Sequence, residues 1–141
     1  MSAKNLRFYS RLQIAAHALK KSSDRRMLEV AGVTTAQMSA LAIIASEEAT
    51  TQTRLAKELG LNDSAITAMM RRLIDLNLVE RVRDDNDGRA WLLKLTSFGD
   101  EAARKAASIT DQTSSKVDEM LGEKTIATVV AAMELIINDL D

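Results

Sequence analysis

The 141-residue chain has no cysteine and no proline, only five glycines, a single histidine and four aromatic residues. Each scarcity excludes something. Without cysteine there is no disulfide frame, no thiol redox switch and no zinc or iron–sulfur site ligated by thiolate. A single histidine argues against a histidine-based metal site or a histidine-centred catalytic triad, and no phosphate loop or activated nucleophile is visible, so neither an enzyme nor a metal or cofactor is expected. Without proline, and with glycine rare, nothing interrupts backbone hydrogen bonding over long stretches, which favours helix. No apolar run approaches the roughly 20 residues that span a bilayer. The amino-terminal stretch shows no signal-peptide pattern either, so the expectation is a cytoplasmic protein without a membrane partner.

What is present is a chain with 46 % hydrophobic residues, enough for one real core. Net charge is −1, but it is unevenly spread: residues 1–50 carry net +3, residues 51–95 net +1 and residues 96–141 net −5. An acidic tail facing away from a phosphate backbone makes this distribution compatible with DNA binding, without arguing for it.

Apolar periodicity and capping signals order the chain. Phe8, Leu12, Ala15 and Leu19 recur at helical spacing in a first helix from about Asn5 to Val30, which Gly32 ends. Thr34-Thr35-Ala36-Gln37 reads as a capping box opening a second helix to about Glu47. Thr51 caps a short third helix, Gln52–Leu59, stopped by Gly60; Asn62 caps a fourth, to about Asn77, with Ile66, Met69, Met70, Leu73 and Leu76 inward. Met69 and Met70 read as core filler. Leu78–Arg83 and Ala90–Leu95 then alternate with a period of two around the turn-forming Asp84-Asp85-Asn86-Asp87-Gly88, which predicts a β-hairpin. Trp91 shares a strand face with Leu93 and Leu95, and packing is the role expected of it. Thr96 caps a long fifth helix to about Leu121, Gly122 breaks it, and a last helix carries Ile126, Val129, Val130, Met133, Ile137 and Leu140 in one stripe. The fold class is mainly α with a small β-hairpin wing.

Two short helices joined by a tight glycine turn and followed by a hairpin form a winged helix-turn-helix. Its second helix fits the width of the DNA major groove. Outward Ser64, Thr67, Arg71 and Arg72 offer donors to base edges and phosphates; Arg89 at the hairpin tip suits a narrow minor groove; Arg54 and Lys57 on the preceding helix are placed for backbone phosphate. Plainer readings stand beside these. The motif is also compatible with an ordinary helical corner, Arg89 with a solvated hairpin residue, and Arg71 and Arg72 with surface ion pairs to Asp75. The terminal stripe Ile126–Leu140 has little monomeric core to cover it, and burial between two copies explains it better than packing within one.

An ordered series of fragments goes further: Val33–Gln37, Leu55–Asn62, Leu78–Arg81, Asp84–Arg89 and Leu95–Gly99, spaced without gaps from about residue 6 to 121. With these the chain resembles the multiple-antibiotic-resistance regulators, the MarR family. The resemblance implies a single MarR-like domain over 1–141, with a DNA-binding lobe at 34–95 and a helical dimerisation region made by 1–30 and 97–141. It implies a homodimer with intertwined first and last helices, a pseudo-palindromic double-stranded DNA operator, and a ligand-responsive repressor. By that likeness Arg89 is the wing-tip arginine and Asp87 the acidic residue that orients it, although turns recruit aspartate for local hydrogen bonds anyway. Relatives also bind small lipophilic acids near the dimer helices, which makes Tyr9, Arg11 and His17 candidate effector contacts; for His17 a plain surface or interface position is the commoner role. Three positions depart from the family pattern. Gly88 stands where a second wing arginine is common, Ala68 where an arginine often reaches DNA, and Asp63 puts a negative charge near phosphate. They motivate a rival reading, a helical protein-interaction adaptor without useful DNA affinity.

Overall fold

The structure, a computed structural model, describes residues 3–140, with side chains from Arg7 onward. Its elements run α1 (Ala3–Ala31), α2 (Thr35–Glu47), α3 (Gln52–Leu59), α4 (Asp63–Asp75), β1 (Val79–Arg83), β2 (Trp91–Leu95), α5 (Ser97–Leu121) and α6 (Glu123–Leu140). The chain divides into two compact units, one reaching to Ala107 and the other starting at Ser108. Among the described residues no single helix is long and apolar enough to cross a membrane.

The helix starts follow the capping logic. Thr34 Oγ1 accepts the Gln37 N–H at 3.2 Å while the Gln37 side chain accepts the Thr34 N–H at 3.0 Å, so both halves of the capping box form. Thr51 and Asn62 cap α3 and α4 through the Arg54 and Ala65 amides, at 3.2 and 2.9 Å. Each such cap is worth about 1 kcal/mol. A further partner at the start of α2 comes from eleven residues upstream. Asp24 of α1 accepts the Thr35 N–H at 2.7 Å and the Thr35 hydroxyl, and pairs with Lys20 at 3.2 Å. The Thr35 backbone donor holds the Asp24 carboxyl below its usual range, against the opposing effect of burial, with Lys20 adding to it. A carboxylate beside an uncapped helix amide is also favoured by the helix dipole.

The core of the first unit is built from one face of each element. Met27, Val33, Leu41, Ile44, Leu55, Ile66, Met70, Leu73, Val79 and Leu93 are fully buried. Each large apolar side chain so buried contributes about 1.5–3 kcal/mol. The expected inner stripe of α4 therefore holds at Ile66, Met70 and Leu73, whereas Met69 is half-buried and Leu76 exposed, because the helix ends at Asp75 and Leu76 lies beyond it. The α1 stripe is a larger departure: Phe8 (58 %) and Leu19 (45 %) remain exposed.

The hairpin pairs Val79 with Leu95, Arg81 with Leu93 and Arg83 with Trp91, antiparallel. On the far side of Leu93, Thr50 exchanges two backbone hydrogen bonds with it, at 3.2 and 2.7 Å, adding a one-residue third strand. That bridge has no run of alternation to betray it. Leu93 is thereby held from both sides and buried. Trp91 is not packed in the core as expected: it is 49 % exposed, at the outer end of its strand, with the Arg83 guanidinium 4.0 Å above its ring.

α5 is sealed to the start of β1. Thr96 donates its hydroxyl to the Asn77 carbonyl at 2.6 Å and its N–H to the Leu78 carbonyl at 3.1 Å, and accepts the Gly99 N–H at 3.0 Å. Gly99 lies so close that a Cβ there would sit 1.9 Å from the Leu78 carbonyl oxygen. Only glycine permits that approach. Within the second unit, α6 has no buried residue.

Candidate nucleic-acid interface

The turn between α3 and α4 is short because Gly60 takes a left-handed conformation (φ 64°), letting its N–H return to Lys57 and the Leu61 N–H to Ala56, at 3.2 and 2.9 Å. A residue with a side chain adopts that conformation at a cost. The turn sets α4 with Ile66, Met70 and Leu73 against the core, and the same periodicity turns Ser64, Thr67, Ala68, Arg71 and Arg72 to the exterior, where all are exposed. A shallow groove of about 410 Å³ runs along this face, lined by Asp63, Ser64, Thr67, Ala68 and Arg71. Arg72 is exposed outside that lining. Among the described residues the side chains of Arg71 and Arg72 make no ion pair or hydrogen bond, so Asp75 neutralises neither.

The two basic residues of α3 differ. Arg54 is engaged by Glu47 at 2.9 Å and Glu58 at 3.2 Å; the hydrogen bond to Glu58 and the charge of Glu47 push its pKa further up. Its charge is compensated before any phosphate arrives. Lys57 is exposed and has no such partner among the described residues. Of the pair, Lys57 is the better placed for phosphate.

At the wing, Asp84 accepts the Asn86 N–H at 2.9 Å and Asp87 accepts the Arg89 N–H at 3.1 Å. Asp87 thus holds the Arg89 backbone, the local turn bond that aspartate commonly makes. The Arg89 side chain is exposed and without a partner among the described residues. Beneath it, Arg83 stacks on Trp91 and donates to the Gly88 carbonyl at 3.0 Å, stapling the tip to the strands. A second tie joins the wing to the helices: Arg81 donates to Gln52 Oε1 at 3.3 Å, and Gln52 Nε2 donates to Thr67 Oγ1 at 3.2 Å. Sequence reasoning found none of Gln52, Arg81 and Arg83. The hairpin register could have set Arg83 opposite Trp91; nothing local marks Gln52.

Tyr9, Arg11 and His17 are all exposed on α1. A cavity of about 370 Å³ lies elsewhere, at the carboxyl end of α1, lined by residues including Val30, Leu76, Phe98, Ala102 and Lys105, and by none of those three.

A helix-turn-helix whose second helix turns hydroxyls and unpaired arginines outward, followed by an antiparallel hairpin tipped with a free arginine, is a winged helix-turn-helix, a DNA-binding fold. The MarR family model matches residues 31–90, and the chain is similar to that family of transcriptional regulators. It is 28 % identical over 124 residues to the multiple antibiotic resistance protein MarR of Escherichia coli (strain K12), covering 86 % of this chain and 84 % of that protein. It is 33 % identical over 94 residues to the HTH-type transcriptional repressor MdtR of Bacillus subtilis (strain 168), covering 64 % and 61 % of the two chains. Among solved structures, a mutant MarR from E. coli complexed with operator DNA superposes with a TM-score of 0.72 at 25 % identity, over 89 % of this chain and 93 % of that one.

Proposed function

We propose that the chain acts in the cytoplasm as a homodimeric, sequence-specific repressor that binds a pseudo-palindromic operator and releases it when a small-molecule effector binds. The observation that carries this is the exposed polar face of α4, with Arg71 and Arg72 unpaired among the described residues. Ser64, Thr67, Arg71 and Arg72 face the major groove, Arg89 enters the adjacent minor groove, and Lys57 meets phosphate. Arg54 joins only by exchanging a carboxylate for a phosphate. Asp87 positions the wing by holding the Arg89 backbone.

Repression is supported by the name of the B. subtilis relative. Pairing of two copies is supported by apolar side chains left open to water: Phe8, Tyr9, Ile14 and Leu19 on α1, and Val130, Ile137 and Leu140 on α6. The lobe at 34–95 reads DNA, and the segments 1–30 and 97–141 hold the pair together, setting the recognition helices about 34–36 Å apart. Tyr9, Arg11 and His17 offer an aromatic ring, a permanent cation and a titratable donor on one helix for an effector. An effector that binds the non-DNA spacing more tightly lowers operator affinity by that difference in free energy. The chain catalyses no reaction in this scheme.

Gel shift on DNA upstream of the chain's own gene tests the reading. Arg89→Ala should weaken binding about tenfold with no loss of thermal stability, and binding should fall steeply with added salt. Unchanged affinity removes the wing from the mechanism. Asp63 in the α4 groove favours one rival, a protein-interaction adaptor. Selection from random DNA that enriches no palindrome decides for the adaptor.

A further inference from the structure

We infer that Gln52 is a positioning residue that fixes which way the Thr67 hydroxyl hydrogen-bonds, and through it part of the base preference of the recognition helix. This rests on the DNA-binding reading above.

The chain of donors has one direction. An arginine guanidinium carries only donors, so Arg81 requires the oxygen of the Gln52 amide, 3.3 Å away. That turns the amide nitrogen, which is donor only, toward Thr67, and Thr67 Oγ1 becomes the acceptor at 3.2 Å. The hydroxyl proton is then not used on this inner side. Helical hydroxyls ordinarily spend that proton on the carbonyl about one turn back. Ser39, Thr113 and Thr128 each do so, at 3.1, 3.0 and 3.0 Å. Among the described residues Thr67 makes no such bond. Its proton faces an exposed groove as a donor.

The relay is anchored at both ends. Arg81 stands in register opposite Leu93, and Leu93 is hydrogen-bonded on its other side to Thr50, two residues before Gln52. The sheet therefore sets the separation of Arg81 from Gln52, and the helix-turn-helix sets that of Gln52 from Thr67. A hydroxyl held as a donor suits an acceptor edge, such as guanine N7 or O6, adenine N7 or thymine O4, over the cytosine amino group.

Selection of bound sites from random DNA, with the full-length dimer, tests this through Gln52→Glu. A carboxylate is acceptor-only, so it takes hydrogen bonds from both Arg81 and Thr67 and turns the Thr67 proton inward. A glutamate in the first turn of α3 is favourable to the helix, so the variant folds. Its extra negative charge weakens all DNA binding, and the readout is therefore relative preference. At one symmetric pair of operator positions the preferred edge should change from acceptor to donor, by roughly tenfold in relative affinity, with the other positions unmoved. Thr67→Val should abolish the difference between Gln52 and Gln52→Glu. A wild-type chain that enriches a site whose pattern Gln52→Glu leaves unchanged overturns the inference alone. A wild-type chain that enriches no site overturns the DNA-binding reading and this inference with it.

Discussion

α4 and α6 both leave a face open to water, and the two faces are opposites. α4 buries Ile66, Met70 and Leu73 and exposes hydroxyls and guanidinium groups; α6 buries nothing and exposes Val130, Ile137 and Leu140. Exposure alone says little about purpose. A helix with one apolar face already packed is complete as a folded element, and its polar face is free to meet a polar ligand. A helix of 18 residues with no buried face has little to hold it, since most helical stability in proteins comes from packing an apolar face. Its apolar stripe calls for another protein surface.

The sharpest way to break the comparison is to spoil the open face of α6. Ile137→Asp should cost about 3 kcal/mol or more by placing an unpaired charge in the contact proposed between copies. Analytical ultracentrifugation should then show a monomer, and the rise of melting temperature with concentration expected of the wild type should vanish. If the variant stays paired, Ile137 is outside the contact. Next in size is Gly99→Ala. With a Cβ 1.9 Å from the Leu78 carbonyl oxygen, the backbone must move and the seal between α5 and β1 opens. Urea unfolding should show a loss of about 2–3 kcal/mol.

Smaller effects belong to the polar side. Gly88 has nothing within 4 Å of a would-be Cβ and needs no left-handed backbone, so Gly88→Arg is sterically open. It should raise operator affinity about three- to tenfold at low salt and steepen the salt dependence by about one phosphate contact. Fluorescence anisotropy at several salt concentrations would measure both. The smallest effect is at acid pH. Because the Asp24 carboxyl lies below its ordinary value in the folded chain, its stabilisation is fully present above the unfolded-chain value and is lost as pH falls through the lowered one. Asp24→Asn should flatten that part of the melting temperature against pH.

Local features of this fold were legible in the sequence because the partners lie within one helical turn. Thr34 with Gln37, Thr51, Asn62 and the glycine stops all announce themselves at short range, and the helix boundaries fall within a residue or two of those expected. The outward face of α4 follows from the same periodicity. What periodicity does not reveal is the identity of the opposite surface. It marks Phe8 and Leu19 as an apolar stripe without saying whether the cover comes from the same copy. Interactions that depend on the completed fold were invisible for a related reason. Thr35 and Asp24 are eleven residues apart, and Arg81 and Gln52 are twenty-nine apart. Arg54 shows both cases at once: Glu58 is readable at a spacing of four, whereas Glu47 arrives only when α2 packs against α3.

Trp91 is the chain's sole tryptophan, half open to water with a cation resting on its ring at the base of the wing. Indole emission from this protein is therefore a spectroscopic window on one hairpin, with no second fluorophore of its kind to dilute it. Docking of the wing into a groove should register as a change in intensity or wavelength in unlabelled protein, and kinetics of operator capture can be followed by light alone.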